Sequence, residues 1–198
     1  MTSFAETDAW DPPVLAGRLV VLRRHRAEDL GPILRWYADP EVARLTRYSV
    51  RPMTDEEVRR YFETRLLSPG ALAYGIHERG TDRLIGLTTF SSLDPENGSV
   101  LFHITIGEHD RWGHGYGTEA TELMLRLAFE RFGLHRVGLS VFSFNERAIR
   151  SYTKAGFVVE GRLRDAIARD GRWWDEVQMG ILRDEWLAAH AMPARTGG

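Results

Sequence analysis

The sequence predicts an α/β fold of the α+β kind, in which helices flank a mixed, mostly antiparallel sheet. One observation is the Asp170-Gly171 pair between two strand-like runs, because Asp-Gly favours the two-residue type I′ turn of a hairpin. Another is an apolar run at 100–106, a helical pattern at 118–132 and alternating apolar residues at 137–141. Such a strand–helix–strand order is typical of a parallel pair with a crossover helix.

Local patterns then justify each element in turn. In chain order we predict a strand at 19–22, a helix at 27–38, a helix from 54 to 65, strands at 74–78, 84–90 and 100–106, a helix at 118–132, a strand at 137–141, a helix between 145 and 156, and hairpin strands at 163–169 and 172–179. Asp39-Pro40 predicts the end of the first helix. Thr54 can cap the second helix, with Glu57 as its capping-box partner.

Length and composition predict a single folded domain. The chain has 198 residues, of which 43% are hydrophobic and 27% are charged, and this length suffices for a substantial core. We expect residues 14–190 to form the domain. Small residues, prolines and glycines at 1–13 and 191–198 predict flexible ends.

The same composition disfavours several classes of function. The formal net charge is −2, which argues against a nucleic-acid partner. The sequence has no cysteine, so disulfides, cysteine-ligated metals and thiol catalysis are excluded. No apolar run approaches the ~20 residues that span a bilayer, and residues 1–11 lack the pattern of a signal peptide. We therefore expect a cytoplasmic protein with no membrane partner and no metal.

Three glycines alternate just before the third predicted helix, at Gly113, Gly115 and Gly117. Glycine lets backbone amides approach a ligand closely because no side chain intervenes. The first turn of a helix has unpaired N–H groups and a partial positive charge. Together these features favour an anion site suited to a pyrophosphate, although a tight connection alone would show the same pattern.

A second informative segment begins at Asn145 and ends at Phe157. Asn145 can cap a helix, and Gly156 can end it in a left-handed conformation. Ala148, Ile149 and Tyr152 fall on one face of that helix. Tyr152 is thus either a half-buried packing aromatic or a phenol positioned to give a proton to a leaving group.

The order and spacing of these two segments resemble the GNAT superfamily of acyl-CoA-dependent N-acetyltransferases. The glycine loop is similar to the family's pyrophosphate motif, Gln/Arg-x-x-Gly-x-Gly/Ala. The second segment resembles its Asn-x-x-Ala-x-x-x-Tyr-x-x-x-Gly-Phe element at every fixed position. The tail from Glu160 to Trp186 looks like the Rim-type branch, which contains the ribosomal-protein N-terminal acetyltransferases. The resemblance covers nearly the whole chain.

This resemblance implies a GNAT-like fold, in which two central parallel strands are splayed apart so that CoA enters the gap. It also implies acetyl-CoA as co-substrate and a primary amine as acceptor, either a protein N-terminus or a small molecule. Since no cysteine can carry the acyl group, the amine would attack directly in a ternary complex. The protein would be a monomer or a homodimer.

The resemblance assigns cofactor binding to Ile106, Trp112, Gly113, His114, Gly115, Tyr116, Gly117, Thr118 and Asn145. Backbone groups at the strand end, Ile106, would follow the pantetheine arm, and one N–H there could polarise the thioester carbonyl. Trp112 stands where the family has Gln or Arg, so backbone amides alone would hold the phosphate at that position. Asn145 could be a helix cap, a cofactor contact, or both.

Tyr152 is the implied acid that protonates the departing thiolate. Many relatives have a glutamate base on the preceding strand, and Leu101 stands at the equivalent position here. His103 is a candidate replacement, because a pKa near ~6.5 suits proton removal at neutral pH, although strand histidines are commonly structural. Rival bases are a water chain, Glu160, Asp175 and Glu176.

Several alternatives remain at this stage. Tyr48 and the pair Trp173-Trp174 could line an acceptor pocket, or the tryptophans could serve packing or a dimer contact. Leu101 favours a different class of function, a non-catalytic acyl-CoA-binding or regulatory domain. A nucleotide-binding module is weaker, because the loop lacks the Gly-Lys-Ser/Thr ending of a P-loop.

Overall fold

The structure, a computed structural model, describes residues 14–190. The flexible ends predicted at 1–13 and 191–198 lie outside the described residues. One eight-stranded sheet has the order β1-β2-β3-β4-β5-β6-β8-β7. Its strands are β1 (Leu15–Ala16), β2 (Val20–Arg23), β3 (Ala73–Glu78), β4 (Leu84–Asp94), β5 (Ser99–Ile106), β6 (Arg136–Phe142), β7 (Val158–Arg169) and β8 (Arg172–Leu182).

Helices cover both faces of this sheet. They are α1 (Leu30–Ala38), α2 (Pro40–Thr46), α3 (Asp55–Tyr61), α4 (Tyr116–Arg126), α5 (Glu146–Lys154) and α6 (Arg183–His190). Short π-helical turns extend α3 over Phe62–Leu66 and α4 over Leu127–Arg131. One apolar cluster joins the sheet to α4, α5 and α6, and another joins it to α1 and α3.

Alternation along the strands supplies these two cores. On β3, Tyr74 and Ile76 belong to the core beneath α4, whereas Ala73 belongs to the core beneath α1 and α3. Successive side chains of a strand point to opposite faces. A sheet covered on both faces therefore needs apolar residues at consecutive positions, which matches the fully buried β3.

The sheet opens between its two central parallel strands. β5 pairs with β6 through only three residue pairs, Ser99–Arg136, Val100–Val137 and Leu101–Gly138. Beyond these pairs both strands continue, to Ile106 and to Phe142, without pairing to each other. The mixed, mostly antiparallel sheet and the splayed parallel pair are therefore confirmed.

Two local predictions are also confirmed. Thr54 Oγ1 accepts a hydrogen bond from the Glu57 backbone N–H at 3.3 Å, and Glu57 Oε2 accepts one from the Thr54 N–H at 2.8 Å. These bonds form the capping box of α3. At the β7–β8 turn, Asp170 has φ +55° and Gly171 has φ +75°, as a type I′ turn requires.

The predicted end of the first helix at Asp39-Pro40 is confirmed, since α1 ends at Ala38, but a helix that was not predicted begins directly after it. Pro40 is the first residue of α2, and the Asp39 carboxylate accepts hydrogen bonds from the Glu41 and Val42 N–H groups. Proline suits that first position because the helix needs no N–H there. The helix α6 was not predicted, and Trp186, only 3% exposed, anchors it to the core.

Candidate active site

A cavity of about 680 Å³ lies where β5 and β6 diverge, bounded by the start of α4 and by α5. Ten of the eleven residues predicted for the site line it: His103, Ile106, Trp112, Gly113, Gly115, Tyr116, Gly117, Thr118, Asn145 and Tyr152. His114 is not brought to this lining. It is exposed between two glycines that have left-handed φ values, and its side chain lies at the turn. We call this cavity the cleft.

The glycine loop ends in a helix start that no side chain caps. Gly115 is the N-cap residue of α4 with φ +88°, and it has no side chain to accept the first-turn N–H groups. Gly117 and Thr118, in that turn, line the cleft. Unpaired N–H groups and the helix dipole therefore present partial positive charge to the cleft.

Trp112 ties this loop to the end of β5. Its indole Nε1 donates a hydrogen bond to the Ile106 carbonyl at 2.7 Å. Its ring stacks on His109 with centroids 4.0 Å apart, and the Arg147 guanidinium carbon lies 3.9 Å from the indole centroid. The residue that replaces the family's Gln or Arg thus orients a cationic side chain from α5.

Tyr116 and Arg111 support the loop from the side of β3. The Tyr116 hydroxyl donates to Glu78 Oε1 at 2.7 Å, and Arg111 Nε lies 2.9 Å from the same oxygen. The hydrogen bond from Tyr116 and the bonds from Arg111 lower the pKa of Glu78 to about 2. Because its hydroxyl is engaged with Glu78, Tyr116 offers the cleft mainly its backbone and ring.

Sequence reasoning missed a basic face on α5. Arg147, Arg150 and Lys154 all line the cleft, and Arg150 also pairs with Glu146 at 3.2 Å. Spacings of three and four residues place side chains on one side of a helix, so this spacing was an available signal. These three residues, the basic face of α5, add positive charge beside the start of α4.

Tyr152 projects from α5 into the wall of the cleft. It is 9% exposed, and its ring lies 6.4 Å from that of Phe102 and 5.9 Å from that of Phe157, centroid to centroid. Burial raises the pKa of Tyr152 well above its ordinary value. The phenol is therefore protonated at neutral pH, and no residue between 14 and 190 hydrogen bonds to its hydroxyl.

Asn145 is a helix cap in this structure. Its Oδ1 accepts from the Ala148 N–H at 3.2 Å, and its Nδ2 donates to the Leu45 carbonyl at 3.3 Å. These bonds start α5 and fix it to the end of α2. The capping prediction is confirmed, and the predicted cofactor contact stays a prediction.

His103 faces the side of the sheet opposite to its neighbour Phe102. Its Nε2 lies 2.7 Å from the Ser91 hydroxyl, and its partial burial in the cleft wall lowers its pKa. The imidazole is therefore neutral at pH 7. Leu101, where a glutamate was expected by resemblance, is 44% exposed and also lines the cleft.

Two rival bases are engaged elsewhere. Glu160 forms a two-pronged ion pair with Arg136, and this interaction lowers its pKa. Asp175 lies 3.5 Å from Arg162. Neither carboxylate is among the described residues that line the cleft.

The third rival, Glu176, is buried beside the cleft. It is 6% exposed, and its Oε1 accepts from the Tyr48 hydroxyl at 2.8 Å and from Gln178 Nε2 at 3.2 Å. Tyr48 itself lines the cleft. Neither Trp173, which is 64% exposed, nor Trp174 is among the described lining residues.

The family of the chain follows from this geometry together with its relatives. A family model described as acetyltransferase (GNAT) domain matches residues 19–158. An uncharacterized N-acetyltransferase of Bacillus licheniformis, p20, is 28% identical over 172 residues, covering 84% of this chain and 94% of that protein. The chain therefore belongs to the GNAT acetyltransferase family.

Two further proteins refine the comparison. The spermidine N(1)-acetyltransferase of Escherichia coli K12 is 34% identical over 129 residues, which is 61% of this chain and 69% of that enzyme. The crystal structure of spermidine N-acetyltransferase from Vibrio cholerae with CoA and spermine has a TM-score of 0.77 and 22% identity, covering 86% of this chain and 99% of that one. The protein is accordingly an enzyme, an N-acetyltransferase.

The described residues contain neither a candidate membrane span nor a candidate metal cluster. In residues 14–190, no helix is long and apolar enough to cross a bilayer. The same residues contain no group of three or more His, Cys, Asp or Glu side chains that could hold a metal ion.

Proposed function

We propose that the protein transfers the acetyl group of acetyl-CoA to a primary amine, by direct attack in a ternary complex. The observation that carries this proposal is the cleft between β5 and β6. Its walls contain the uncapped start of α4 at one end and the free Tyr152 hydroxyl in the interior. These features support a phosphate anchor and a proton donor on the walls of one cleft.

The charges around the cleft fit a CoA diphosphate. First-turn N–H groups of α4 can donate to phosphate oxygens, and the basic face of α5 offsets their negative charge. A Cβ built on Gly113 would meet nothing within 4 Å, and one on Gly117 would lie 3.6 Å from Ile106. Bare backbone at Gly113 therefore borders open space, whereas Gly117 lies within contact distance of Ile106. The end of β5 at Ile106 would offer peptide groups to the pantetheine arm.

In this proposal Tyr152 donates to the sulfur that leaves. A thiol titrates near ~8.5 and a phenol near ~10 in water. Burial raises the pKa of Tyr152 further, and a thiolate in the same apolar wall would be destabilised for the same reason. A hydrogen bond from this phenol therefore stabilises the leaving group where water cannot.

His103 is proposed to remove the amine proton. The reaction balances when the amine nitrogen forms a bond to the acetyl carbon, the carbon–sulfur bond breaks, His103 takes a proton from nitrogen, and sulfur gains one from Tyr152. His103 is neutral at pH 7 because its pKa is lowered. His103 also lines the cleft. Leu101 lines the cleft too, but its side chain has no group that can take a proton.

The acceptor class completes the proposal. A protein N-terminus would agree with the resemblance of the tail to the Rim-type branch, and a small amine would agree with the spermidine acetyltransferases among the relatives. We propose that this chemistry takes place in the cytoplasm, in a monomer or homodimer, without a metal or a nucleic-acid partner.

Release of CoA thiol from acetyl-CoA is the direct test. Because the chain has no cysteine, a thiol-reactive dye reports only the CoA that is released. Peptides with free N-termini, diamines and amino acids should be supplied separately, with mass spectrometry of the acylated product. We expect amine-dependent release, and no release above hydrolysis with any amine would contradict transferase activity on this panel.

A second candidate has one observation in its favour. A non-catalytic acyl-CoA-binding or regulatory domain would need no general base, and Leu101 stands where many relatives have one. Calorimetric titration distinguishes the two functions. Binding of acetyl-CoA without turnover of any amine would favour the regulatory domain.

A further inference from the structure

A second cavity adjoins the cleft on the face of the sheet that α1 and α3 cover. Its volume is about 810 Å³, and α2, the π-helical turn after α3, and strands β3, β4 and β5 supply its walls. Four residues line both cavities: Val42, Thr46, His103 and Thr105. A molecule in the second cavity can therefore reach the cleft beside the proposed base.

The lining of this cavity contains no carboxylate among the described residues. Its ionisable side chains are Arg47, Arg65, Tyr37, Tyr61 and His103. Burial raises the pKa of Tyr37 and lowers that of His103, so both are neutral at pH 7. The two arginines then give the cavity a net positive charge.

The two arginines differ in their availability. Arg47 donates to the carbonyl oxygens of Tyr37 at 3.3 Å and of Ser49 at 3.2 Å, so its charge is fixed in the wall. Arg65 is exposed and has no ion-pair partner among residues 14–190. It is therefore available to an anionic group in the cavity.

Two carboxylates near this region are engaged by other side chains. Glu57 is bound by Arg51 at 2.7 Å, and Glu176 lies buried beneath the hydroxyl of Tyr48. Neither lines the second cavity. The cavity therefore lacks the counter-charges that a molecule with several ammonium groups needs when it leaves water.

We propose that the second cavity holds the acceptor, and that it selects primary amines whose far end is a carboxylate over diamines and polyamines. This inference rests on the proposed function, because it assigns the substrate class of that same reaction. With the amine at His103, we expect a carboxylate at the far end to bind Arg65, which lines the same cavity. An ammonium group at the far end would instead be repelled by the positive charge of Arg65.

A matched pair of acceptors tests the inference. 5-Aminopentanoate and 1,5-diaminopentane have the same length and the same reacting amine, and they differ in the charge of the far end. Thiol release gives kcat/KM for each, and spermidine serves as a third acceptor. We expect 5-aminopentanoate to be preferred by about tenfold, the size of one ion pair gained and one repulsion avoided near a surface.

Charge reversal then locates the preference. Arg65→Glu should move the ratio of the two kcat/KM values by about tenfold towards the diamine, and Arg65→Lys should retain the wild-type order. Arg59→Glu is the matched control, because Arg59 is also exposed on α3 and lines neither cavity. An equal change in both glutamate variants would overturn the assignment of Arg65.

Different outcomes would overturn the acceptor selectivity and the transferase activity. Faster turnover of 1,5-diaminopentane or spermidine than of 5-aminopentanoate by the wild type would overturn the selectivity and leave the transferase activity standing. Absence of amine-dependent release with all of these acceptors and with the wider panel would instead overturn the proposed function.

Discussion

The two helices that border the cleft begin in opposite ways. α5 starts at Asn145, whose side chain accepts the Ala148 N–H at 3.2 Å. α4 starts at Gly115, which has no side chain to do so. The helices are otherwise closely joined, since the hydroxyls of Thr118 and Ser151 lie 2.8 Å apart.

This difference separates a structural helix end from one available to a ligand. A capping side chain contributes about 1 kcal/mol to stability, so α5 is held in place by the protein alone. α4 forgoes that contribution, and its first-turn N–H groups remain for an anion. We therefore propose that α4 anchors the cofactor and that α5 positions Tyr152, and each proposal can be tested.

The largest expected effect is on proton donation by Tyr152, the residue that α5 positions. Tyr152→Phe should lower kcat by about a hundredfold, the lower range for a positioned proton donor, with CoA affinity unchanged. Steady-state thiol release and calorimetry measure the two quantities. Tyr74→Phe is a control, because Tyr74 is a core tyrosine whose buried hydroxyl has no partner. Equal rates for Tyr152→Phe and wild type would remove Tyr152 from the mechanism.

The next effect concerns the anchor at α4. Gly117→Val should weaken CoA binding by about thirtyfold, the loss of one or two hydrogen bonds to a charged group. Gly115→Val should also weaken CoA binding, but its φ of +88° adds backbone strain. Gly117 has no positive φ, so its variant isolates the steric effect.

Gly31→Val provides the comparison for Gly117→Val. Gly31 lies in α1, and a Cβ there would meet nothing within 4 Å. Its variant should have the same helix-propensity cost and unchanged CoA affinity. Normal affinity in both Gly115→Val and Gly117→Val would refute the assignment of the loop.

A smaller effect is expected for His103, which lies on β5. Because the pKa of His103 is lowered, the His103-dependent limb of kcat/KM should rise with pH through a value below 6.5, as the neutral imidazole forms. Deprotonation of the amine acceptor adds a separate rise at its own, higher pKa. His103→Gln should lose this limb and about tenfold in rate. His135→Gln, at an exposed position outside the cleft, should retain it. An unchanged pH profile in His103→Gln would assign the base elsewhere.

The smallest effect concerns the cap of α5. Asn145→Ala should destabilise the protein by about 1 kcal/mol, which lowers Tm by about 2–4 °C in a domain of this size. Asn145→Ser should recover most of that loss, since serine also caps. If both variants bind CoA weakly despite the restored stability of the serine variant, Asn145 contacts the cofactor as well.

Local chemistry made much of the fold predictable. The capping residues Thr54 and Asn145 and the Asp170-Gly171 turn act through neighbours within three residues, so the sequence contains the whole interaction. The splayed strands were expected only by resemblance, because no local pattern distinguishes a strand that loses its partner after Leu101. The family motifs likewise located the cleft.

The remaining features depend on contacts distant in sequence. The Asp39-Pro40 pair predicts the end of α1 but not the start of α2, because whether the Asp39 carboxylate caps a further helix depends on the packing of that helix. The stacking of Arg147 on Trp112 joins residues 35 positions apart. No sequence motif predicts the second cavity, because helices and strands from three parts of the chain enclose it.

The divergence of β5 and β6 gives the molecule strand edges in its interior. The outer edges, at β1 and β7, face the surroundings, where unpaired peptide groups invite other chains to add a strand. The inner edges face a space bordered by α4 and α5, too confined for another folded protein. A narrow, extended ligand can therefore hydrogen bond to these inner peptide groups, which another protein chain cannot reach to add a strand.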